Sequence, residues 1–85
     1  MSDYENFITE LVQKHKLVLG PNIALDTARA VKGLKVADDG KVQRVFGDEA
    51  LVLKALLNGY GSLVHQISQK IADDLQKKYP SVNLT

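Results

Sequence analysis

Two histidines are the first residues in this sequence that could carry catalysis or bind a metal. His15 stands between Lys14 and Lys16, and two neighbouring ammonium groups oppose a bound cation. We therefore expect His15 on a solvated surface or at a helix end. His65 has no His, Asp or Glu three or four positions away, so we expect a surface residue beside an apolar helix stripe. Neither histidine predicts a metal site.

Three pairs of adjacent carboxylates could ligate a cation or serve as an acid and a base. They are Asp38-Asp39, Asp48-Glu49 and Asp73-Asp74. A calcium loop with Gly40 as its sixth residue would begin at Lys35 and end at Phe46, where Asp and Glu are required. We instead interpret the pairs as a turn, a helix N-cap and a solvated helix face.

The glycine and serine patterns complete no nucleotide-binding or catalytic motif. Gly40-Lys41 is followed by Val42, whereas a phosphate-binding loop requires Ser or Thr there. Gly59-Tyr60-Gly61 would need a third glycine at the position that Val64 occupies. The chain has no cysteine, and its serines lack the context of a nucleophile. The sequence therefore predicts a protein that is not an enzyme and needs no cofactor.

Length and composition predict one small domain. The 85 residues are 45% hydrophobic and 25% charged, which is the ordinary globular balance. We place the domain at residues 1–80 and a short C-terminal tail at 81–85, since Pro80 ends the last helix. The lack of cysteine favours the cytoplasm. The longest apolar run, residues 50–53, is far too short to cross a membrane.

Two helices are predicted at the N-terminus. Ser2 and Glu5 have the spacing of a capping box, and apolar residues then recur every three or four positions until about Val18. Gly20-Pro21 separates this helix from the next, because Gly tolerates a left-handed cap and Pro suits a first helical turn. The second helix should run from Pro21 to Lys32.

A β-hairpin is predicted between Leu34 and Phe46, where the apolar spacing changes to alternation. Asp38-Asp39-Gly40 is its turn, and we favour a three-residue loop with Gly40 in the left-handed region. That loop predicts two cross-strand pairs, Val36 with Val42 and Lys35 with Gln43.

The apolar spacing of the C-terminal half is continuous from Leu53 to Leu75, across Gly59 and Gly61. Either one helix of residues 49–78 passes through the glycines, or a first helix ends there and Ser62 caps a second. We favour a break or kink at the glycines. The predicted fold is therefore α+β and mostly helical: two N-terminal helices, a central two-stranded hairpin, and one long kinked or two consecutive C-terminal helices.

The charge distribution is uneven although the net charge is only +1. Residues 29–44 carry five cations against two aspartates, a local charge of +3: Arg29, Lys32, Lys35, Lys41 and Arg44. Such residues commonly protect an edge strand, and they could also contact a phosphate backbone. We expect weak binding to nucleic acid at most, because the helix before the hairpin offers few cations to a DNA groove.

The leading functional hypothesis is a non-catalytic protein-interaction or regulatory domain, acting as a homodimer or on another protein. A continuous helix of residues 49–78 would be about 45 Å long and would overhang a domain of about 30 Å. The predicted partner-binding residues on its far end are Ile67, Ile71 and Leu75. If the first helix covers these three residues, we expect the chain to be a monomer instead. The alternative hypothesis is a small DNA-binding protein that uses the hairpin of residues 34–46 as a wing.

Overall fold

The computed structural model describes residues 2–84 and has the predicted α+β architecture. Met1 and Thr85, the ends of the predicted domain and tail, lie outside the described residues. The elements in chain order are α1 (Asp3–Leu19), α2 (Pro21–Arg29), β1 (Leu34–Val36), β2 (Val42–Val45) and α3 (Glu49–Lys78). β1 and β2 form a two-stranded antiparallel hairpin. The helices pack around one core, and the molecule measures 28 × 24 × 18 Å.

The predicted capping box at the start of α1 is confirmed. The Glu5 N–H donates to Ser2 Oγ, and the Ser2 N–H donates to Glu5 Oε1, each over 3.1 Å. These two bonds satisfy amide groups that the first helical turn leaves without partners. Gly20, at φ +86°, then separates α1 from α2, and Pro21 begins α2 as predicted.

α2 ends at Arg29, three residues before the predicted end at Lys32. The Val31 N–H donates to the Ala28 carbonyl over 3.1 Å, a bond that reaches back only three residues and tightens the last turn. Gly33, at φ +91°, then redirects the chain into β1. The helix is shorter than predicted because this turn begins three residues earlier.

The hairpin turn is confirmed. Of the two predicted cross-strand pairs, the one next to the turn is found and the following one is not. Gly40 has φ +92°, and Val36 pairs with Val42 as predicted. Lys35 pairs with Arg44, however, so the predicted partner Gln43 is the extra residue of a β-bulge. In a regular strand the side chains of Val42 and Val45 would lie on opposite faces of the hairpin. The bulge allows both of them to pack against the core.

α3 continues through Gly59 and Gly61 and bends at Val64 instead, where φ is −143° and ψ is 66°. The break predicted at the glycines is therefore wrong in position. Tyr60 holds the helix to α2 at this point, because its buried hydroxyl donates to the Ala24 carbonyl over 2.8 Å. The Ser62 hydroxyl donates back to the Gly59 carbonyl and does not cap a new helix. The bend removes the expected overhang, since the longest molecular axis is 28 Å.

The segment after α3 packs back on α1. Val82 is buried in the core, and the Ser81 hydroxyl donates to Asp3 Oδ2 over 2.5 Å. The Asn83 N–H donates to the Tyr4 hydroxyl over 2.9 Å. Residues 81–84 thus cover the N-terminal half of α1. Among residues 2–84, no helix is both long and apolar enough to span a membrane.

Candidate protein-binding surface

His15 lies in the core, which corrects the prediction of a solvated histidine. Its side chain is 0% exposed, and its ring stacks on Tyr60 with centroids 3.8 Å apart and planes 7° apart. Nδ1 lies 2.8 Å from the Leu11 carbonyl, which only accepts, so Nδ1 carries the proton. Nε2 therefore accepts from the buried Ser68 hydroxyl over 2.6 Å. Nδ1 is therefore bonded within α1, and the Nε2 bond to Ser68 links α1 to α3.

The flanking lysines were a misleading signal, because neighbours in a helix point about 100° away from each other. The informative signal was the spacing of His15 from Leu11 and Val12, four and three residues earlier, which continues the apolar stripe of α1. Burial lowers the pKa of His15 below its usual 6.5, partly opposed by the Leu11 carbonyl. The ring is thus a neutral core residue at physiological pH. His65 is exposed, as predicted.

The carboxylate pairs have the structural roles that the sequence indicates. Asp39 Oδ1 accepts from the Lys41 N–H in the hairpin turn over 2.9 Å. Asp48 Oδ1 accepts from the Ala50 N–H over 2.9 Å and caps α3. Residues 73–74 are exposed on α3. Within residues 2–84, no three histidine or carboxylate side chains lie close enough together to hold a metal ion.

The predicted basic residues are all exposed, and one of them is neutralised. Arg29 forms an ion pair with Asp38, 2.6 Å apart. The remaining four are Lys32, Lys35, Lys41 and Arg44. Lys35 and Arg44 stand directly opposite each other across the hairpin, and the Arg44 guanidinium lies 4.9 Å from the centre of the Phe46 ring. The hairpin therefore presents two adjacent like charges to solvent.

The three residues predicted to bind a partner have different environments. Leu75 is 2% exposed and belongs to the core of its own chain. Ile71 is partly buried against that core, whereas Ile67 is 47% exposed. Leu75 therefore contributes to stability rather than to a surface. Partner binding through Ile67 and Ile71 stays a prediction, but the overhang that motivated it is absent.

Another apolar surface lies where α2 and the hairpin meet the first half of α3. A ridge of four residues at four-residue intervals crosses it, which we call the α3 ridge: Leu51, Ala55, Gly59 and Leu63. Leu51 and Leu63 are 65% and 52% exposed, and Phe46 beside Leu51 is 51% exposed. The ridge thus displays large apolar side chains at both ends and small residues between them.

Two grooves accompany the α3 ridge. One has a volume of about 600 Å³ and is lined by Phe46, Leu51 and the glycines on either side of the hairpin. The other, about 470 Å³, lies between Ala30, the residue after α2, and Ala55 and Leu63 of α3. Lys32 borders both grooves. We call the ridge and the two grooves together the α2–α3 face.

Sequence reasoning missed this surface although a signal was present. Leu51 precedes the core residue Leu53 by two positions, which turns it about 200° around the helix axis and away from the core. A leucine at that position lies on the outer side of α3. The three- and four-residue spacing identifies only the inner stripe of the helix, which begins at Leu53.

The α2–α3 face offers apolar area, small residues, Lys32 and the carboxylate of Asp48. The paired hydroxyl and imidazole of Ser68 and His15 do not line either groove of this face, and both side chains are almost completely buried. Exposed apolar area of this kind is typical of surfaces that bind other molecules. Comparison of the chain with family models, with curated proteins and with solved structures finds no match.

Proposed function

We propose that this chain is a non-catalytic protein-interaction domain that binds a protein on the α2–α3 face. The observation that carries the proposal is the exposure of Leu51 and Leu63 at the two ends of one ridge, each beside an open groove. Contiguous apolar area of this kind is unfavourable in water and typically marks an interaction site. Helical partners fit such grooves through apolar side chains at three- and four-residue intervals.

The charges around the face support a protein partner that contributes carboxylates. Lys35 and Arg44 lie opposite each other, and like charges in that position destabilise a hairpin. Lys32 borders both grooves. Among residues 2–84, no carboxylate forms an ion pair with any of these three cations. A carboxylate supplied by a partner would relieve the repulsion and add specificity to apolar contacts.

Site-specific photocrosslinking in the cells that naturally produce this protein tests the proposal. A photoreactive phenylalanine analogue is placed at Leu51 in one version and at Ile67 in another. Both positions are exposed apolar sites on α3, so the second is a matched control for folding and labelling. We expect a crosslinked species of one discrete mass from position 51 and none from position 67.

The result identifies the surface without requiring the partner in advance. A discrete product from position 51, whatever its mass, supports binding on the α2–α3 face. Products only from position 67 would move the interface to the far half of α3 and contradict the proposal. No discrete product from either position would contradict the proposal as well.

Nucleic-acid binding is the second candidate, and the exposed Lys35 and Arg44 are the observation in its favour. Binding of duplex DNA depends on neutralising several phosphates, and a chain of net charge +1 with Arg29 already paired has little to offer. We expect no measurable binding to duplex DNA at physiological salt. A salt-dependent mobility shift at submicromolar protein, lost in Lys41→Glu with Arg44→Glu, would reverse the ranking of the two candidates.

A further inference from the structure

We propose that a groove between the starts of α1 and α3 binds an extended peptide of another protein. Asp3 and Tyr4 form one wall and Leu53 and Leu57 form the other, and we call it the α1–α3 groove. The groove holds residues 79–84 of the same chain, so this docked segment shows the chemistry that fits. None of the four wall residues borders a groove of the α2–α3 face, so the inference is independent of the proposed function.

The side chains of the docked segment alternate between solvent and the groove. Val82 is buried and Leu84 is partly buried, whereas the residue before each of them is exposed. Such alternation is that of an extended chain held by two side chains two positions apart. The Asn83 N–H donates to the Tyr4 hydroxyl over 2.9 Å, so the groove also binds the backbone. The groove therefore fits an extended segment with apolar side chains two residues apart.

The walls of the α1–α3 groove are joined by contacts that do not involve the docked segment. The Ser2 hydroxyl donates to Glu49 Oε2 over 2.6 Å and ties the N-cap of α1 to the first turn of α3. Phe7 of α1 and Leu53 of α3 belong to the same buried core. The docked segment itself is neither helix nor strand. It can therefore leave the groove while the two walls stay together.

Asp3 is better matched by a cation than by the residue that the chain itself supplies. Asp3 Oδ2 accepts from the Ser81 hydroxyl over 2.5 Å, and among residues 2–84 Asp3 forms no ion pair. A lysine or arginine at this position of the peptide would place a full positive charge beside the carboxylate. The docked segment is thus an internal competitor that a foreign peptide can displace. The expected partner sequence is a cation followed by two apolar residues with one polar residue between them.

Binding of a synthetic peptide to the intact chain tests the inference. A fluorescent peptide with the sequence of residues 79–85 is titrated into the protein, and fluorescence anisotropy measures its affinity. The docked segment competes at an effective concentration of about a millimolar, so the native chain should bind the peptide weakly. Ser81→Asp puts a second carboxylate beside Asp3 and repels the docked segment, and we expect at least tenfold tighter binding. Ser81 is exposed, so this substitution leaves the core intact.

A pair of matched variants tests the apolar part of the groove. Leu84→Ser removes one anchor of the docked segment and should also tighten peptide binding. Leu17→Ser makes the same change at a leucine of α1 that is 88% exposed, and it should bind the peptide as the native chain does. In the peptide itself, Val82→Asp should abolish binding. The Ser81→Lys peptide should bind about threefold more tightly than the parent peptide, which is the scale of an exposed ion pair.

The outcomes decide between a foreign peptide and the alternatives. Tighter binding to Ser81→Asp and Leu84→Ser, with a preference for the Ser81→Lys peptide, supports the inference. Equal binding to the native chain and both variants, or no binding to any of them, overturns it. Native mass spectrometry checks for a second copy as the occupant. A native mass of twice 9.4 kDa that falls to one chain in Ser81→Asp would show exchange of the segment between copies and overturn the foreign peptide.

Discussion

Lowering the pH from about 8 to about 5 should destabilise this domain, starting near pH 6.5, because His15 is buried in its neutral form. Burial holds its native pKa below 6.5, the value it has in the unfolded chain. Between these two values the unfolded chain takes up a proton that the native chain does not. The free energy of unfolding then falls with pH by up to about 1.4 kcal/mol per unit.

The sign of the effect follows from the direction of the shift. Above pH 6.5 the imidazole is neutral in both states and the full stability is present; the loss continues until the pH falls through the native pKa. Glu10 contributes in a lower range. The hydrogen bonds from Lys78 and Tyr79 lower the pKa of Glu10 below 4.5, so its contribution is present above 4.5 and is lost as the pH falls further.

Denaturant unfolding at a series of pH values measures this dependence. In His15→Gln the slope between pH 6.5 and 5 should disappear, even if the variant is less stable at every pH. His65→Gln removes an exposed histidine from the same chain and should retain the native slope. A native chain whose stability is constant between pH 7 and 5 would contradict the buried, neutral His15.

Gly33→Ala should be among the most destabilising single substitutions, with a loss of about 3 kcal/mol in the free energy of unfolding. Gly33 has φ +91°, a conformation that L side chains rarely adopt. An added Cβ would also lie 2.8 Å from the Phe46 carbonyl oxygen and 3.2 Å from a methyl group of Val52. The backbone of Phe46 cannot move freely, since its N–H donates to the Gly33 carbonyl over 2.7 Å.

Gly47→Ala separates the two causes. Gly47 also has positive φ, at +79°, but no atom lies within 4 Å of the position that a Cβ would take. We expect a loss of about 1 kcal/mol there, from the backbone conformation alone. Thermal unfolding of both variants measures the difference. Equal losses at the two sites would mean that the close approach of Gly33 to Phe46 is absent.

The parts of the fold that sequence predicts well are those fixed by neighbouring residues. The capping box of Ser2 and Glu5 and the turn at Gly40 depend on bonds within a few positions, and both are found as predicted. The register beyond the turn depends on the core as well. Val42 and Val45 are three positions apart, an odd spacing for two residues that both pack inward, and that spacing was the signal for a bulge.

The bend in α3 could not be located from local residues. The two glycines are natural weak points, yet Tyr60 between them is fixed to α2 by its hydroxyl, and the helix bends at Val64. The position of the bend depends on the direction in which the second half of α3 must run to cover α1. Sequence spacing carries no information about that long-range contact.

The candidate surface was missed for a related reason. Spacing rules identify the face of a helix that enters the core, and the opposite face is then taken as solvated. Leu51 and Leu63 are apolar residues on the outer side of α3. Packing within the core of the chain does not explain why these positions are apolar. Only the structure shows that they flank one ridge with a groove at each end.

The photocrosslinked product of the chain in its own cell tests the central claim most directly. With the photoreactive side chain at position 51, we expect one discrete product heavier than the 9.4 kDa of one chain. Leu63→Asp, which puts a charge on the α3 ridge away from the core, should abolish this product, and Ile67→Asp should leave it unchanged. Absence of a discrete product from position 51, or a product lost in Ile67→Asp and kept in Leu63→Asp, would contradict the account.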